Sequence, residues 1–436
     1  MNNYNKQNAT ASVLLAALLA VSMQAPQAAE LTGALNAGVG TSDNLLRTPD
    51  NQLDTTIAFV GAEFGYVETG SRLTANIVVN ADYLTYDESS IDNELIGGAS
   101  AFVDYFFVEE VFWLNAQYNF GQQVFDPLTP IRPDNREDVS FVTAGPGLSL
   151  PFGDNNSLDI EANYSTVRYE LRANDNDRIN LELGLSRDVG EGKTISLIGS
   201  EEQVRFSDEV INPDFNRQEA FIRWSSVSVR NVIDIDVGYS ELELEDLSRQ
   251  SSGSVFRFDW TRIVSPSTTL TFGAGSRFSD QGDIFRFAQN TSFDIRETED
   301  VIGTATPFRN NFFNATYLLE RERTTITVAA RWSQEDYEEE NTFDRDVGRL
   351  NASVSRQLSR KITGELSLIY SQRSFDTLNR DDDDMLWELS FGYQFNPALS
   401  AALSYQRLDR NSTLAIDEFG ENRIFLTFSY VPRWSR

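Results

Sequence analysis

Carboxylates set two residues apart are the arrangement in this chain with the makings of a reaction. Asp159 with Glu161, and Asp234 with Asp236, each stand on one face of an extended segment. Paired acids of this kind are what hydrolysis of a glycosidic bond uses. The sequence holds neither histidine nor cysteine. A Ser-His or Cys-His nucleophile therefore cannot be built, nor a disulfide or thiolate site. Acids lining any water-filled wall would show the same spacing, so the chain reads as a non-enzyme with no cofactor and no metal centre. The formal charge of −30, from 66 acidic and 36 basic residues, also argues against nucleic acid as a partner.

The elements that carry these acids are short and alternate strictly. Leu73, Ala75, Ile77, Val79, Ala81 and Tyr83 interleave with Thr74, Asn76, Val78, Asn80, Asp82 and Leu84. The same period returns around Asp234 and Asp236, around Arg257 and Asp259, around Arg331, and around Glu365. Each such strand has one apolar and one wet face. In a soluble sandwich the apolar face would meet a second sheet; in a membrane barrel it meets lipid, and the charged face lines a lumen.

Three features favour the barrel. Val13 to Val21 is an apolar core of nine residues, too short to cross a hydrocarbon layer of about 30 Å. It is followed by small residues and reads as a signal peptide over 1–29, cut near Ala28 or Ala29. Connections then alternate between tight and long. Tight turns fall at Glu68 to Ser71, Glu109 and Glu110, Gly153 to Asn156, Val189 to Lys193, Val229 to Asn231, Ser265 to Thr268, Glu320 to Arg323, Ser359 to Lys361 and Asn396 to Leu399. Longer polar stretches lie between, such as Gln123 to Glu137 and Gln281 to Thr306. Nine tight turns and ten long loops predict twenty strands, with eighteen as the alternative, and place the tight turns in the periplasm. Finally, no stretch after the signal could form a transmembrane helix, and no linker divides residues 30–436. The expected fold is all-β: one antiparallel up-and-down transmembrane barrel in the outer membrane of a Gram-negative bacterium.

The alternation assigns an inner wall: Asp82, Asp159, Glu161, Arg223, Asp234, Asp236, Arg257, Asp259, Arg331, Arg349, Glu365, Arg373 and Glu388. These could form a polar track for a passing solute, or pair across strands to hold the barrel round. Tyr66, Tyr83, Trp113, Trp224, Trp260, Tyr317, Trp332, Trp387 and Tyr405 fall on the apolar side as candidates for the interfacial aromatic girdles. The loop Gln281 to Thr306, with Phe285, Phe287 and Phe293, could fold inward as a constriction, although a surface loop is the plainer expectation. Acid runs at Asp381 to Asp384, Glu338 to Glu340 and Asn174 to Asp177 read as outer loops. They would either hold divalent cations beside lipopolysaccharide phosphates or stay solvated.

The first hairpin is the most particular stretch. Leu31 to Asp54 reads LTGALNAGVGTSDNLLRTPDNQLD, a small-residue strand followed by Asp43-Asn44 and then Arg47-Thr48. It resembles the outer-membrane β-barrel porin family associated with exopolysaccharide export gene clusters in Gram-negative bacteria. The resemblance implies passage of a secreted polysaccharide, working with a periplasmic or inner-membrane export partner. A diffusion porin for small solutes, or a structural or adhesive barrel with a closed lumen, would show the same alternation. The last strand departs from common barrel practice, running on through Pro432 to Arg436 where an aromatic usually ends the chain, so that Tyr430 or Trp434 must serve.

Overall fold

A computed structural model describes residues 29–208, 212–245, 249–288, 305–339, 341–432 and 434; the signal segment ahead of Ala29 lies outside them. Twenty strands make one sheet. They are β1 (Ala29–Ser42), β2 (Thr55–Thr69), β3 (Leu73–Tyr86), β4 (Glu94–Val108) and β5 (Phe112–Val124). Then follow β6 (Arg136–Phe152), β7 (Asn156–Tyr169), β8 (Asn176–Gly190), β9 (Lys193–Phe206) and β10 (Phe215–Val227). The third group is β11 (Asn231–Leu244), β12 (Arg249–Ser265), β13 (Thr268–Ser279), β14 (Phe308–Arg321) and β15 (Thr324–Tyr337). The last is β16 (Arg345–Gln357), β17 (Ile362–Phe375), β18 (Arg380–Asn396), β19 (Leu399–Ser412) and β20 (Phe419–Tyr430). Between β13 and β14 lies a short helix, α1 (Gln281–Ala288).

Each strand is antiparallel to its chain neighbours, and β1 pairs with β20, so the sheet closes on itself. The tight turns stand where the alternation predicts them. At the β8–β9 turn the backbone is left-handed at three successive residues, with φ of 88°, 55° and 69° at Gly190, Glu191 and Gly192. Two of the three are glycines, which enter that region without a Cβ penalty. β20 ends at Tyr430, before Pro432, which has no N–H for the ladder.

Strands of 12–17 residues exceed the roughly 9–11 that a tilted strand needs to cross the hydrocarbon. The surplus extends past the membrane at the loop end, and polarity inverts there. Lower down, Leu35, Val60, Leu183, Leu197 and Val237 are exposed on the lipid face. Near the long loops it is the inward side chains that are apolar and buried: Val139, Phe141, Val167, Val204, Leu242 and Leu244. Outward neighbours at that level are charged and wet, as in the Arg168–Asp177 and Arg205–Glu245 pairs. Two acid runs read as loops belong to this collar: Asp381 to Asp384 lie in β18, and Asn176 and Asp177 open β8. They are strand because Asp382 and Asp384 find inward arginine partners in Arg380 and Arg410.

The closing seam is the shortest pairing. β1 meets β20 over Leu35 to Ser42 only, whereas it meets β2 along its whole length. A buried polar cluster reinforces it. Glu421, with no exposed surface, accepts hydrogen bonds from Ser42 Oγ (2.6 Å), Arg47 Nε (3.0 Å) and Arg423 Nε and Nη2 (2.5 and 2.9 Å). Asp43 accepts from the Asn422 backbone N–H at 2.7 Å and side-chain Nδ2 at 2.6 Å, and Asn44 Nδ2 donates to Gly420 O at 3.1 Å. The Asp43-Asn44 segment of the first hairpin is thus a clasp on the last strand. Replacing Glu421→Leu would take from two buried guanidinium groups the carboxylate they share, at a cost of about 3–5 kcal/mol. Arg47→Ala should cost less, because Arg423 still faces the carboxylate. Thermal unfolding, read as loss of the fast-migrating folded band on electrophoresis, should fall for both and further for Glu421→Leu; the reverse order would deny the clasp its role.

Candidate functional site: the inner wall of the barrel

The inner wall is wet through its middle and packed at its outer end. Cross-strand register puts the acids and arginines read from the alternation on the face opposite the exposed apolar residues. Arg223 Nε and Nη2 both bond Asp236 at 2.8 Å, and Arg257 reaches Asp236 at 2.9 Å and Glu219 at 3.3 Å. These are cross-strand ion pairs. Asp159 accepts from the hydroxyls of Ser149, Ser157 and Ser186 at 2.5, 3.1 and 3.1 Å. Gln406 Nε2 donates to Glu388 at 2.9 Å, Glu365 stands opposite Ser355, and Asp82 is buried over Gly61. Arg373, buried and bonded to Asp384, belongs to the outer collar.

Like charges also stand directly opposite one another. Glu161 faces Glu182, Asp234 faces Asp259, and Arg331 faces Arg349 across their ladders. Such pairs are destabilising in a folded sheet. Asp234 has a hydroxyl donor in Ser225 at 2.6 Å, and Arg349 Nε donates to Asn351 at 3.2 Å. Among the described residues nothing donates a hydrogen bond to Glu161, Glu182 or Asp259. The two carboxylate pairs lie on β7–β8 and β11–β12, and the arginine pair on β15–β16.

The start of the β13–β14 connection, 280–288, enters the barrel, which for that part corrects the plainer expectation of a surface loop. Asp280 caps α1, its Oδ1 accepting from the Gly282 N–H at 2.8 Å. It is also gripped in bidentate fashion by Arg178, at 2.6 and 3.0 Å. Arg217 holds Asp283 at 2.9 Å and also bonds Glu202. Gln281 Nε2 donates to Gln123 at 2.8 Å. Phe285 is 1% exposed and sits among Val139, Phe141, Val167 and Tyr169, all inward residues of β6 and β7. The reason is chemical: α1 brings two acids and one phenyl ring to a wall that offers two arginines and an apolar notch. Phe287 lies in the same helix, while Phe293 lies outside the described residues.

The carboxylates of Glu202, Asp280 and Asp283 come within 4.8 Å of one another. Arg178 and Arg217 already supply their counter-charge, so the group is an ionic clamp and not a cation cage. A second connection reinforces the cover. Leu128, in the loop after β5, packs on Phe308, Tyr337 and Phe375, strands on the far side of the barrel. Arg172, in the β7–β8 loop, donates to Val124 O at 2.7 Å and pairs with Glu137 at 3.1 Å. Burial holds that guanidinium below its usual range. In the β19–β20 loop burial raises Asp417, an effect that Arg380 at 3.1 Å opposes.

Eight of the nine girdle candidates take the lipid-facing parity; Trp113 does not. It stands opposite Gly147, and its indole lies so close over that glycine that an added Cβ would collide with the ring. Trp113 therefore lines the lumen at the periplasmic end. The signal was in the sequence: Trp113 shares its parity with Asn115, Gln117 and Asn119.

Closure, lipid face and wet inner wall define a membrane β-barrel, and comparison with known families adds to this. Residues 320–430 match a family described as “putative beta-barrel porin 2”. This β-barrel porin match covers the end of β14 through β20, away from the first hairpin that carries the sequence resemblance, and with the fold it places the chain in an outer membrane. No curated protein matches in sequence. Among solved structures, the FrpB iron transporter of Neisseria meningitidis aligns at 8% identity with a TM-score of 0.49, over 92% of this chain and 82% of that one. The siderophore receptor PirA of Acinetobacter baumannii gives 9% and 0.48, over 94% and 81%. Loop-deleted OmpT of Vibrio cholerae gives 11% and 0.35, over 93% and 99%. Likenesses this distant carry nothing about function.

The porin-like barrel holds its α1 by charge, which a cysteine probe can read because the chain has no other cysteine. With Phe285→Cys alone, a membrane-impermeant maleimide should label slowly. Adding Arg178→Ala and Arg217→Ala should speed labelling about ten-fold or more, as loss of two buried pairs removes several kcal/mol from docking. Equal rates would mean the arginines do not hold α1.

Proposed function

We propose that the chain is an outer-membrane conduit for an exopolysaccharide leaving the cell, with α1 as its constriction. The observation that carries this reading is the inner wall itself. Arg331 and Asp259 are exposed inside the barrel at mid-strand, and Glu365 nearer the tight turns, where a packed lumen would have buried them. Barrels of about 16–18 strands already leave an aqueous channel, and twenty leave a wider one. A hydrated sugar chain needs many weak polar contacts and no deep trap, and a wall of hydroxyls, carboxamides and spaced charges supplies them.

One observation favours a second reading, a barrel with a closed lumen. α1 and the loop carrying Leu128 both occupy the outer mouth. In the conduit reading these are a cover that moves; in the other they are a permanent plug that makes the barrel structural or adhesive.

Single-channel conductance in a planar bilayer separates the two. The wild type should conduct weakly and intermittently, and a variant lacking Gln281 to Thr306 should show a steady, larger conductance. Given the wall's acidic excess, the open variant should favour cations, with a reversal potential of that sign under a salt gradient. Silence from both forms would overturn the conduit and leave the closed barrel.

A further inference from the structure

One row of the inner wall has the composition of a sugar site. Register aligns Phe106 of β4, Trp113 of β5, Gly147 of β6, Glu161 of β7 and Glu182 of β8 across five adjacent strands. Phe106 and Trp113 are ring neighbours, with centroids 6.3 Å apart. Gly147 is the small residue that lets the indole lie down across β6, towards Glu161. Two strand spacings separate the backbones of Trp113 and Glu161, about 10 Å, and the reclining indole covers part of that gap.

The chemistry of the row is specific. An aromatic face attracts a ring whose own face is apolar, and adjacent carboxylates accept hydrogen bonds from groups on that ring's edge. Asp104 and Asn115, opposite each other one step along β4 and β5, extend the polar margin. Among the described residues nothing bonds to Glu161, Glu182 or Asp104, and nothing accepts from the Trp113 indole N–H. Glu161 and Glu182 face each other as like charges, an arrangement that a cationic group between them would relieve. Two other acids of the wall lack these openings: Asp236 is consumed by two arginines, and Asp159 by three serines.

We propose that Trp113, Glu161 and Glu182 form a binding subsite for a hexose ring, preferring one that bears an amine, just inside the periplasmic mouth. The subsite rests on the conduit reading: it stands where an exported chain would enter, with stacking from Trp113 and the amine between the two glutamates. An acidic sugar would be repelled. The preference thus narrows the cargo to a neutral or amino-sugar polymer.

Calorimetric titration of the full-length protein folded in detergent tests binding without requiring conduction. The probes are cellohexaose, which offers the uncharged ring, and the glucosamine hexamer, which offers the same ring with an amine. Both should bind, the glucosamine hexamer more tightly, and Trp113→Ala should weaken both by about ten-fold. Trp113→Phe should retain most of the affinity. Glu161→Gln with Glu182→Gln should abolish the preference while leaving cellohexaose binding in place. Gly147→Val keeps the tryptophan but pushes it off the wall, and should act like Trp113→Ala while the folded band on electrophoresis persists. Failure of both sugars to bind, indifference to Trp113→Ala, or equal binding of tetramethylammonium would overturn the subsite. Binding by a protein that never conducts would overturn the conduit reading and leave the subsite standing.

Discussion

A hydrocarbon layer offers no hydrogen-bond partner, so every backbone N–H and C=O within it must be met by the protein, and for a sheet the solution is closure. The rest of this molecule depends on that closure holding at its weakest place, the eight-residue pairing of β1 with β20. Ladder bonds there are fewest, and the chain compensates with side chains. Ser42, Arg47 and Arg423 converge on a fully buried Glu421, and Asp43 ties into Asn422. The first loop is bent inward to do so, with Arg47 in the left-handed region at φ 53°. Leu45 follows it into a cluster with Ile57 and Phe425. Residues that look in sequence like a functional signature are, physically, the means by which the chain's two ends find each other.

The same strands serve two environments, and side-chain parity carries both. Over the membrane-facing length the code is apolar outside and polar inside. In the outer collar it reverses, because there the outside is water and the inside must hold loops. The reversal explains why α1 docks: Phe285 finds an apolar notch that would not exist if the lower pattern continued. It also explains the placement of the acids. Those in the collar, such as Asp382 and Glu202, are locked to arginines, since a buried charge without a partner would be prohibitive. On the middle wall Asp236 is paired with arginines as well, while Glu161, Glu182 and Asp259 receive no hydrogen bond among the described residues.

Much of this was legible in the sequence, because period-two alternation and tight turns are local signals. Twenty strands, their turns and the inner parity of residues such as Asp236 and Arg257 follow from them. What was not legible is what depends on distant partners. The run Asp381 to Asp384 looks like a loop, since four adjacent acids repel; it is a strand because Arg373, Arg380 and Arg410 arrive from β17, β18 and β19. The inward fold of α1 depends on Arg178 and Arg217, more than sixty residues earlier. Trp113 is a different case. Its parity was readable from Asn115 and Gln117, and the expectation that tryptophans belong at lipid interfaces overrode it.

The chemistry of the clamp limits how the lumen could open. Its charged members are arginines and carboxylates, and the chain has no histidine. Salt is a poor trigger, because pairs this buried are weakly screened. What can compete is a group that replaces one partner in place: a cation for Arg217 against Glu202 and Asp283, or a polyol whose hydroxyls bond the acids that Arg178 releases. In the conduit reading, a cargo arriving up the lumen would present such groups to the underside of α1 and so loosen the cover, which opens only briefly when there is nothing to pass.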